Sequence, residues 1–388
     1  MAKFDSKTWN PTVFEKYMKK IPNVKENSLI KNGLLNSKPN MTARLRDEVG
    51  GNYFVEPIKG LLDGEVLNYD GVVDMTATSR DTFEQGKIII GRMKAWTEKD
   101  FSTELTGEDW MKGIAGEVKE FYDAVDQADI LAILKGIFSM TDSDNDFVEK
   151  HTMEINGPLE ATSMNKALTK ACGDKKKFFK IAFMHSTPAA NLENLNLLNF
   201  LKYTDSEGIE RDLTIGTYNG KLVVVDDDMP VLVGYDASTE GTEGALKVVA
   251  SGASAGEINL ADVKKGDFYP SNVAANQYVK EATEYVTYVL GEKFFDYDNV
   301  GVKTPNEMDR DPAKNGGVDT LYTRQRKLYV PKWISFTKAS MASNSPTVAE
   351  LATGSNWEIV NNGKSGKDKR YVNHKMIPLA RLISREED

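Results

Sequence analysis

Two β-prone runs, set too far apart for an ordinary hairpin, constrain this chain most. The first, from about Asn52 to Lys59, holds Tyr53, Phe54, Val55 and Ile58. The second, Lys87 to Trp96, opens with Ile88, Ile89 and Ile90 and then alternates. Between them lie about 27 residues broken by Gly60, Gly64, Gly71 and Gly86, where hairpin loops take about two to five. A two-stranded hairpin alone is marginal in water. This ribbon must lie on the rest of its own domain or on a neighbouring molecule.

A long helix is expected next. Thr106 suits an N-cap, with Asp109 in a variant capping box. Apolar residues then recur three and four apart at Met111, Ile114, Val118, Phe121, Val125, Ala128 and Ala132. Continuous to Phe138, such a helix is ~50 Å long, and Gly113 and Gly116 suggest close packing or a bend. Before the ribbon, residues 1–50 are polar and turn-rich and lack the apolar content to fold alone.

From about 158 to 230 the pattern is α/β. A helix from Leu159 to Ala171 leads to a strand at Phe178 to Met184, then a helix from Pro188 to Leu198. A hairpin follows, Leu213–Tyr218 and Lys221–Val225 around Asn219-Gly220, the strongest short hairpin signal. Residues 234–257 read as a surface excursion, Tyr285–Leu290 as a strand, 305–320 as a loop, and Thr320–Phe336 as a strand pair.

The composition, 40% hydrophobic and 28% charged, is that of a folded chain. No apolar run approaches the ~18–20 residues of a membrane helix, and Met1–Asp5 lacks a secretory apolar core. The single Cys172 excludes an internal disulfide and suggests a reducing compartment, a cytoplasm. Asn40-Met41-Thr42 therefore reads as a chance glycosylation spelling. A net charge of −9 disfavours direct duplex binding, which needs clustered Lys and Arg, but not a container wall past which DNA slides.

No catalytic constellation emerges, and no catalytic, cofactor-binding or metal residue is assigned. His151, His185 and His374 are far apart in sequence, and Ser186 lacks a nucleophile-elbow setting. Asp142, Asp144 and Asp146 open like a calcium loop, but Phe147 and Met153 replace the needed Gly and Glu. Asp226, Asp227 and Asp228 end a strand, where alternation lets one or two at most converge, so a polar strand end is the better reading. Gly363-Lys364-Ser365 copies the end of a phosphate loop, with Glu358 where Gly is required. Lys175–Lys177 read as a solvated edge. Trp9, Trp96, Trp110, Trp333 and Trp357 read as core or interface anchors.

Three stretches, in order, resemble the major capsid proteins of tailed bacteriophages, whose fold is shared with herpesvirus shells and encapsulins. The first is Gly51 to Leu134, with Gly91-Arg92-Met93-Lys94-Ala95-Trp96 and Leu105-Thr106-Gly107. The second is Phe179 to Pro230, with Ile215 to Gly220 and Val223 to Pro230. The third runs from Asp309-Arg310-Asp311-Pro312 through Thr320 to Arg324, Ser345-Pro346-Thr347 and Asn356-Trp357 to Ile377-Pro378-Leu379.

The resemblance implies an α+β fold: an N-terminal arm at 1–50 and an extended E-loop at 51–104. A P-domain with the long helix as spine covers 105–160 and 301–388, and an A-domain covers 161–300. A surface insertion at about 231–283 exceeds the family pattern. The implied function is a non-enzymatic, self-assembling icosahedral head around double-stranded DNA, with an encapsulin-like compartment as the alternative. The implied partners are copies of the chain in pentamers and hexamers, a separate scaffolding protein, a portal and a decoration protein, with no membrane and no cofactor. The implied location is the virion, after assembly in the host bacterial cytoplasm. Lys59 and Lys87 flank the loop that some relatives cross-link, but no Asn or catalytic Glu matches them.

Overall fold

The computed structural model describes residues 34–38, 51–62, 64, 66–69, 77, 79–106, 114–141, 146–204 and 210–385. Of the arm it places β1 (Leu35–Ser37), with Leu34 fully buried. The ribbon forms as the sequence demands: β2 (Tyr53–Lys59) pairs antiparallel with β3 (Thr82–Lys99) from Tyr53↔Ile88 to Lys59↔Thr82.

The described residues show the expected long helix in part. A short α1 covers Asp100–Thr106, so the described Thr106 is itself helical, and Asp109, Trp110 and Met111 lie outside the described residues. The second helix, α2 (Ile114–Ile137), has 24 residues, about 36 Å. Its inner face is also rotated from the expected stripe. Phe121 and Ala128 are exposed, whereas Tyr122, Asp126, Gln127, Asp129, Ile130, Ile133, Leu134 and Ile137 are buried.

Then come α3 (Phe147–His151), β4 (Thr152–Glu154), α4 (Ser163–Cys172), β5 (Phe179–Met184) and α5 (Ser186–Asn194). Helix α5 starts two residues before Pro188 and stops short of Leu198. His185 caps it, its Nδ1 accepting the Thr187 N–H at 3.2 Å. Strands β6 (Asn199–Thr204), β7 (Glu210–Tyr218) and β8 (Lys221–Val225) follow. Asn219 and Gly220 both have positive φ, 50° and 70°, as a mirror-image hairpin turn requires.

The expected excursion at 234–257 is instead structured. It carries β9 (Val231–Ser238), β10 (Ala245–Val249) and β11 (Glu257–Asn259), followed by α6 (Leu260–Val263). Val248, Val263, Val273 and Val279 give this lobe its own small core. Its scattered valines are too sparse among Gly, Ser and Thr to show a period. From the lobe, β12 (Tyr278–Gly291) runs back into the body, and β13 (Phe295–Asn299) follows.

The expected loop at 305–320 also contains a strand, β14 (Asn306–Asp311), which pairs with β15 (Val318–Pro331). All six β14 residues are exposed, so no apolar alternation marks it. The chain closes with β16 (Ile334–Phe336), α7 (Val348–Leu351), β17 (Trp357–Ile359) and β18 (Leu379–Arg385).

Among the described residues these strands make two large sheets and one small pair. The first sheet runs β1-β13-β15-β3-β2, with β14 on β15. The second is built on β12, which pairs with β9 and β10 at its lobe end and with β5 and β18 at its body end. Beyond β5 it continues through β8, β7 and β6. Sheet membership departs from a division at residue 300, because β13 belongs to the first sheet and the C-terminal β18 to the second.

From Ile181 to Met184 strand β5 is buried on both sides, as that unbroken apolar run requires, with Lys180 exposed before it. Ile181 and Phe183 face the core under α2, with Ile130, Ile133, Leu134, Tyr288 and Trp357. Phe179, Ala182 and Met184 face α4 and α5, against Leu168, Cys172 and Leu192.

Candidate assembly surface

The ribbon has a built-in base and an unsupported tip. At the base, Gln85 through Ile90 are buried. Here β3 leaves β15 and the Gln85 amide fills the gap, donating to the carbonyls of Pro331 (3.2 Å) and Ile334 (2.9 Å). The Gly86 N–H donates to Ser335 Oγ at 2.7 Å. Lys87 is 4% exposed and pairs with Glu56, so one of the two lysines flanking the loop is spoken for within the chain. The base thus rests on the protein's own core.

Past the last ladder pair the environment changes. Gly60 N–H still donates to the Asp81 carbonyl at 2.9 Å, but Leu61, Leu62, Val66 and Tyr69 are 89%, 77%, 97% and 96% exposed. Burying one such side chain is worth about 1.5–3 kcal/mol, against about 0–1 kcal/mol for an exposed ion pair. Four together are a strong incentive to find a second surface.

A rigid frame carries this tip. On β3, Arg92 grips Asp129 of α2 and donates to the Pro346 carbonyl at 2.7 Å. Asp126 of α2 pairs with Lys327 of β15 and accepts from Gln325 at 3.0 Å. Burial pushes the carboxyls of Asp126 and Asp129 up, against the pull of Lys327 and Arg92. Tyr122 and Thr323 share a 2.7 Å hydrogen bond. The opposite face of the β3–β15 ribbon carries Met93 (82% exposed) and Tyr322.

The side chains singled out for chemistry scatter. His151 and His374 do meet, with Nε2 and Nδ1 3.1 Å apart, while His151 Nδ1 lies 2.5 Å from the Leu379 carbonyl. Burial lowers His151 to about 4, which suits a packed neutral ring stacked on Phe147. Ser186, His185 and Asp227 also lie together. However, His185 Nδ1 is occupied by the Thr187 N–H and stands 3.4 Å from Ser186 Oγ. Asp227 is held below the usual carboxylate range first by its hydrogen bond to Ser186. This is a helix cap, not a nucleophile–base pair.

Asp142 and Asp144 lie outside the described residues, and Asp146 takes a left-handed conformation before α3. Lys175–Lys177 lie in a short 3-10 turn with Lys176 and Lys177 exposed, and Lys364 pairs with Asp81. Trp96 stacks edge-on with Phe121, and Trp357 Nε1 donates to the Leu351 carbonyl at 2.7 Å in the core. Trp9 and Trp110 are not among the described residues. No group of three or more His, Cys, Asp or Glu side chains able to hold a metal occurs among the described residues, and no described helix is long and apolar enough to cross a membrane.

The chain is similar to known phage shell proteins. No family model matches the chain. The major capsid protein of Bacillus phage SPP1 is 24% identical over 336 residues, 86% of each chain. The capsid of cyanophage Pam1 superposes with a TM-score of 0.52 at 11% identity, covering 99% of both chains. That of Ralstonia phage GP4 gives 0.52 at 8% identity, covering 100% of this chain and 98% of the other. These relatives are structural proteins and not enzymes. The chain is thus similar to a phage major capsid protein along six-sevenths of its sequence and shares the fold of phage capsids end to end.

Proposed function

We propose that copies of this chain close, as pentamers and hexamers, into the icosahedral head of a tailed phage around double-stranded DNA. The observation that carries this reading is the contrast along one hairpin, whose base is locked into its own core while its tip holds four nearly bare apolar side chains. On this reading the tip is an E-loop that drapes over a neighbour. Helix α2 with the first sheet is the P-domain, and the second sheet is the A-domain. On this reading 295–299 go with the former and 379–385 with the latter, in keeping with the sheets their strands join. Head-to-tail contacts of this kind generate rings wherever the rotation closes, and many weak contacts sum to a stable shell.

A net charge of −9 suits a wall that leaves packed DNA free to slide. A scaffolding protein, a portal and a decoration protein are the further partners in this reading, and the host bacterial cytoplasm is the place of assembly.

The test is deletion of residues 61–80. It spares Thr82–Gly86, which pair with β2 and end in the buried Gln85 and Gly86, and joins Gly60 to Asp81 as a two-residue Gly-Asp turn of the kind hairpins favour. The shortened subunit is expected to fold and remain soluble without closing a shell. Normal particles in electron micrographs would refute the reading.

A further inference from the structure

We infer that Lys176, Lys180 and Lys221, gathered where strands β5 and β8 begin, form a contact surface for the phosphate backbone of double-stranded DNA. The inference rests on the reading of the chain as the wall of a DNA-filled head. Strands β5 and β8 run parallel in the register Ile181↔Leu222. Lys180 and Lys221, one residue earlier on each, therefore start the two strands side by side. They project on the side of Ala182 and Val223, which α4 and α5 cover further along. Lys176 lies in the 3-10 turn just before β5, and its Nζ donates to Asn165 Oδ1 of α4 at 3.0 Å.

The grouping is costly. Like charges set directly opposite on paired strands oppose each other. Burial first, and then the nearness of Lys180 and Lys176, lowers the Lys221 ammonium below the usual lysine range. Lys177 is exposed beside them, and Lys375 extends the surface, since a Cβ on Gly173 would lie 3.6 Å from its Nζ. With Lys175 these make six lysines, of which Lys175 alone contacts a carboxylate among the described residues, Asp174 at 3.7 Å. A chain with 58 acidic and 49 basic residues thus concentrates cations on one corner and leaves them unpaired by its own acids.

The composition of the corner favours phosphate over an acidic protein. Protein interfaces are anchored by aromatic and apolar side chains and are poor in Lys. Here Phe178, 37% exposed, is the one large apolar side chain exposed in the turn. A duplex presents one phosphate charge per ~1.7 Å of axis, and flexible ammonium groups meet it without sequence preference. A few such contacts per subunit are weak, and the acidic remainder of the chain keeps them so. Packed DNA would be touched by the wall without being gripped.

Fluorescence anisotropy of full-length, unassembled subunits with two labelled duplexes of unrelated sequence tests this across a salt series. Wild type is expected to bind both alike, within the ~10⁻⁴–10⁻⁶ M range of non-specific contacts. Replacing Lys176, Lys180 and Lys221 together by Gln is expected to weaken binding at least tenfold and to lower the log–log salt slope by about 3. Its thermal midpoint should equal or exceed that of wild type, because the repulsion is gone. A control with the same charge change, Lys264→Gln, Lys314→Gln and Lys367→Gln, alters exposed residues elsewhere and should stay within about twofold of wild type. Absence of binding to wild type overturns the inference, as does equal loss in both triple variants, which would reflect net charge alone. Wild-type affinity in the Lys176/Lys180/Lys221 variant overturns it by placing the contact elsewhere, and a lowered midpoint does so by making the lysines structural. Displacement of the duplex by poly-glutamate at lower charge concentration than by unlabelled DNA would assign the corner to an acidic protein instead. Particle formation is read separately by microscopy, so failure here leaves the shell reading standing.

Discussion

Arg92 and Asp129 form a two-pronged ion pair between strand β3 and helix α2, with Nη2–Oδ1 at 2.6 Å and Nε–Oδ2 at 3.1 Å. Asp129 is 1% exposed, and the third arm of the guanidinium reaches the Pro346 carbonyl. One side chain thus joins the ribbon, the helix and the C-terminal third. Arg92→Ala strands a buried carboxylate and is expected to cost about 3–5 kcal/mol of unfolding free energy. Replacing both partners, as Arg92→Met with Asp129→Leu, is expected to recover much of that. A double-mutant cycle in urea measures both, and a single-mutant loss below about 1 kcal/mol would contradict this account.

Glycines on α2 are expected to respond in opposite directions. A Cβ on Gly136 would lie 2.1 Å from the Leu351 carbonyl oxygen and 2.5 Å from Trp357 Nε1, whereas one on Gly116 would meet nothing within 4 Å. Gly136→Ala must push apart the helix and the segment containing Trp357, at a cost of about 1–3 kcal/mol or more. Gly116→Ala gains helix propensity, about 0.5–1 kcal/mol. Thermal unfolding of the two variants should shift to opposite sides of wild type.

Acid should loosen the turn that holds Ser343 and Thr347. Glu350 closes a capping box with Thr347 and accepts from Ser343 Oγ at 2.7 Å and the Ala342 N–H at 2.8 Å. These bonds, led by that to the Thr347 backbone, lower its carboxyl from 4.5 to about 2. A depressed carboxylate lends stability that is fully present above pH 4.5 and lost as pH falls through about 2. Glu350→Gln keeps the box geometry but not the charge. Its urea midpoint should therefore fall less steeply than that of wild type between pH 4.5 and 2, and an equal slope would contradict the assignment.

How much of this was legible beforehand follows from what each element must bury. The ribbon, β5 and the Asn219-Gly220 hairpin carry apolar runs and turn chemistry strong enough to show in the sequence. Helix α2 showed its existence but not its face. Its inner stripe includes Asp126 and Asp129, paired with Lys327 and Arg92, and Gln127, whose amide serves Asp226 and Asp228. Strand β14 has no buried side and left no period. The convergence of Asp226 and Asp228 on Gln127 joins residues about a hundred positions apart, beyond any local pattern.

The tip of the ribbon permits the cleanest separation of folding from assembly. Leu61, Leu62, Val66 and Tyr69 have almost no contact with their own chain, so replacing all four with Ser should leave the unfolding midpoint of the isolated subunit nearly unchanged, within about 0.5 kcal/mol per site. The same change removes most of the apolar area the tip offers a neighbour, at ~25 cal/mol per Å². Since every subunit in a shell would repeat the loss, the critical concentration for assembly should rise by orders of magnitude, read by light scattering and sedimentation. Loss of subunit stability together with assembly would mean that the tip folds back on its own body. Assembly at the wild-type concentration would mean that neighbours are held by other surfaces, with Met93 and Tyr322 on the outer face of the ribbon the next to test.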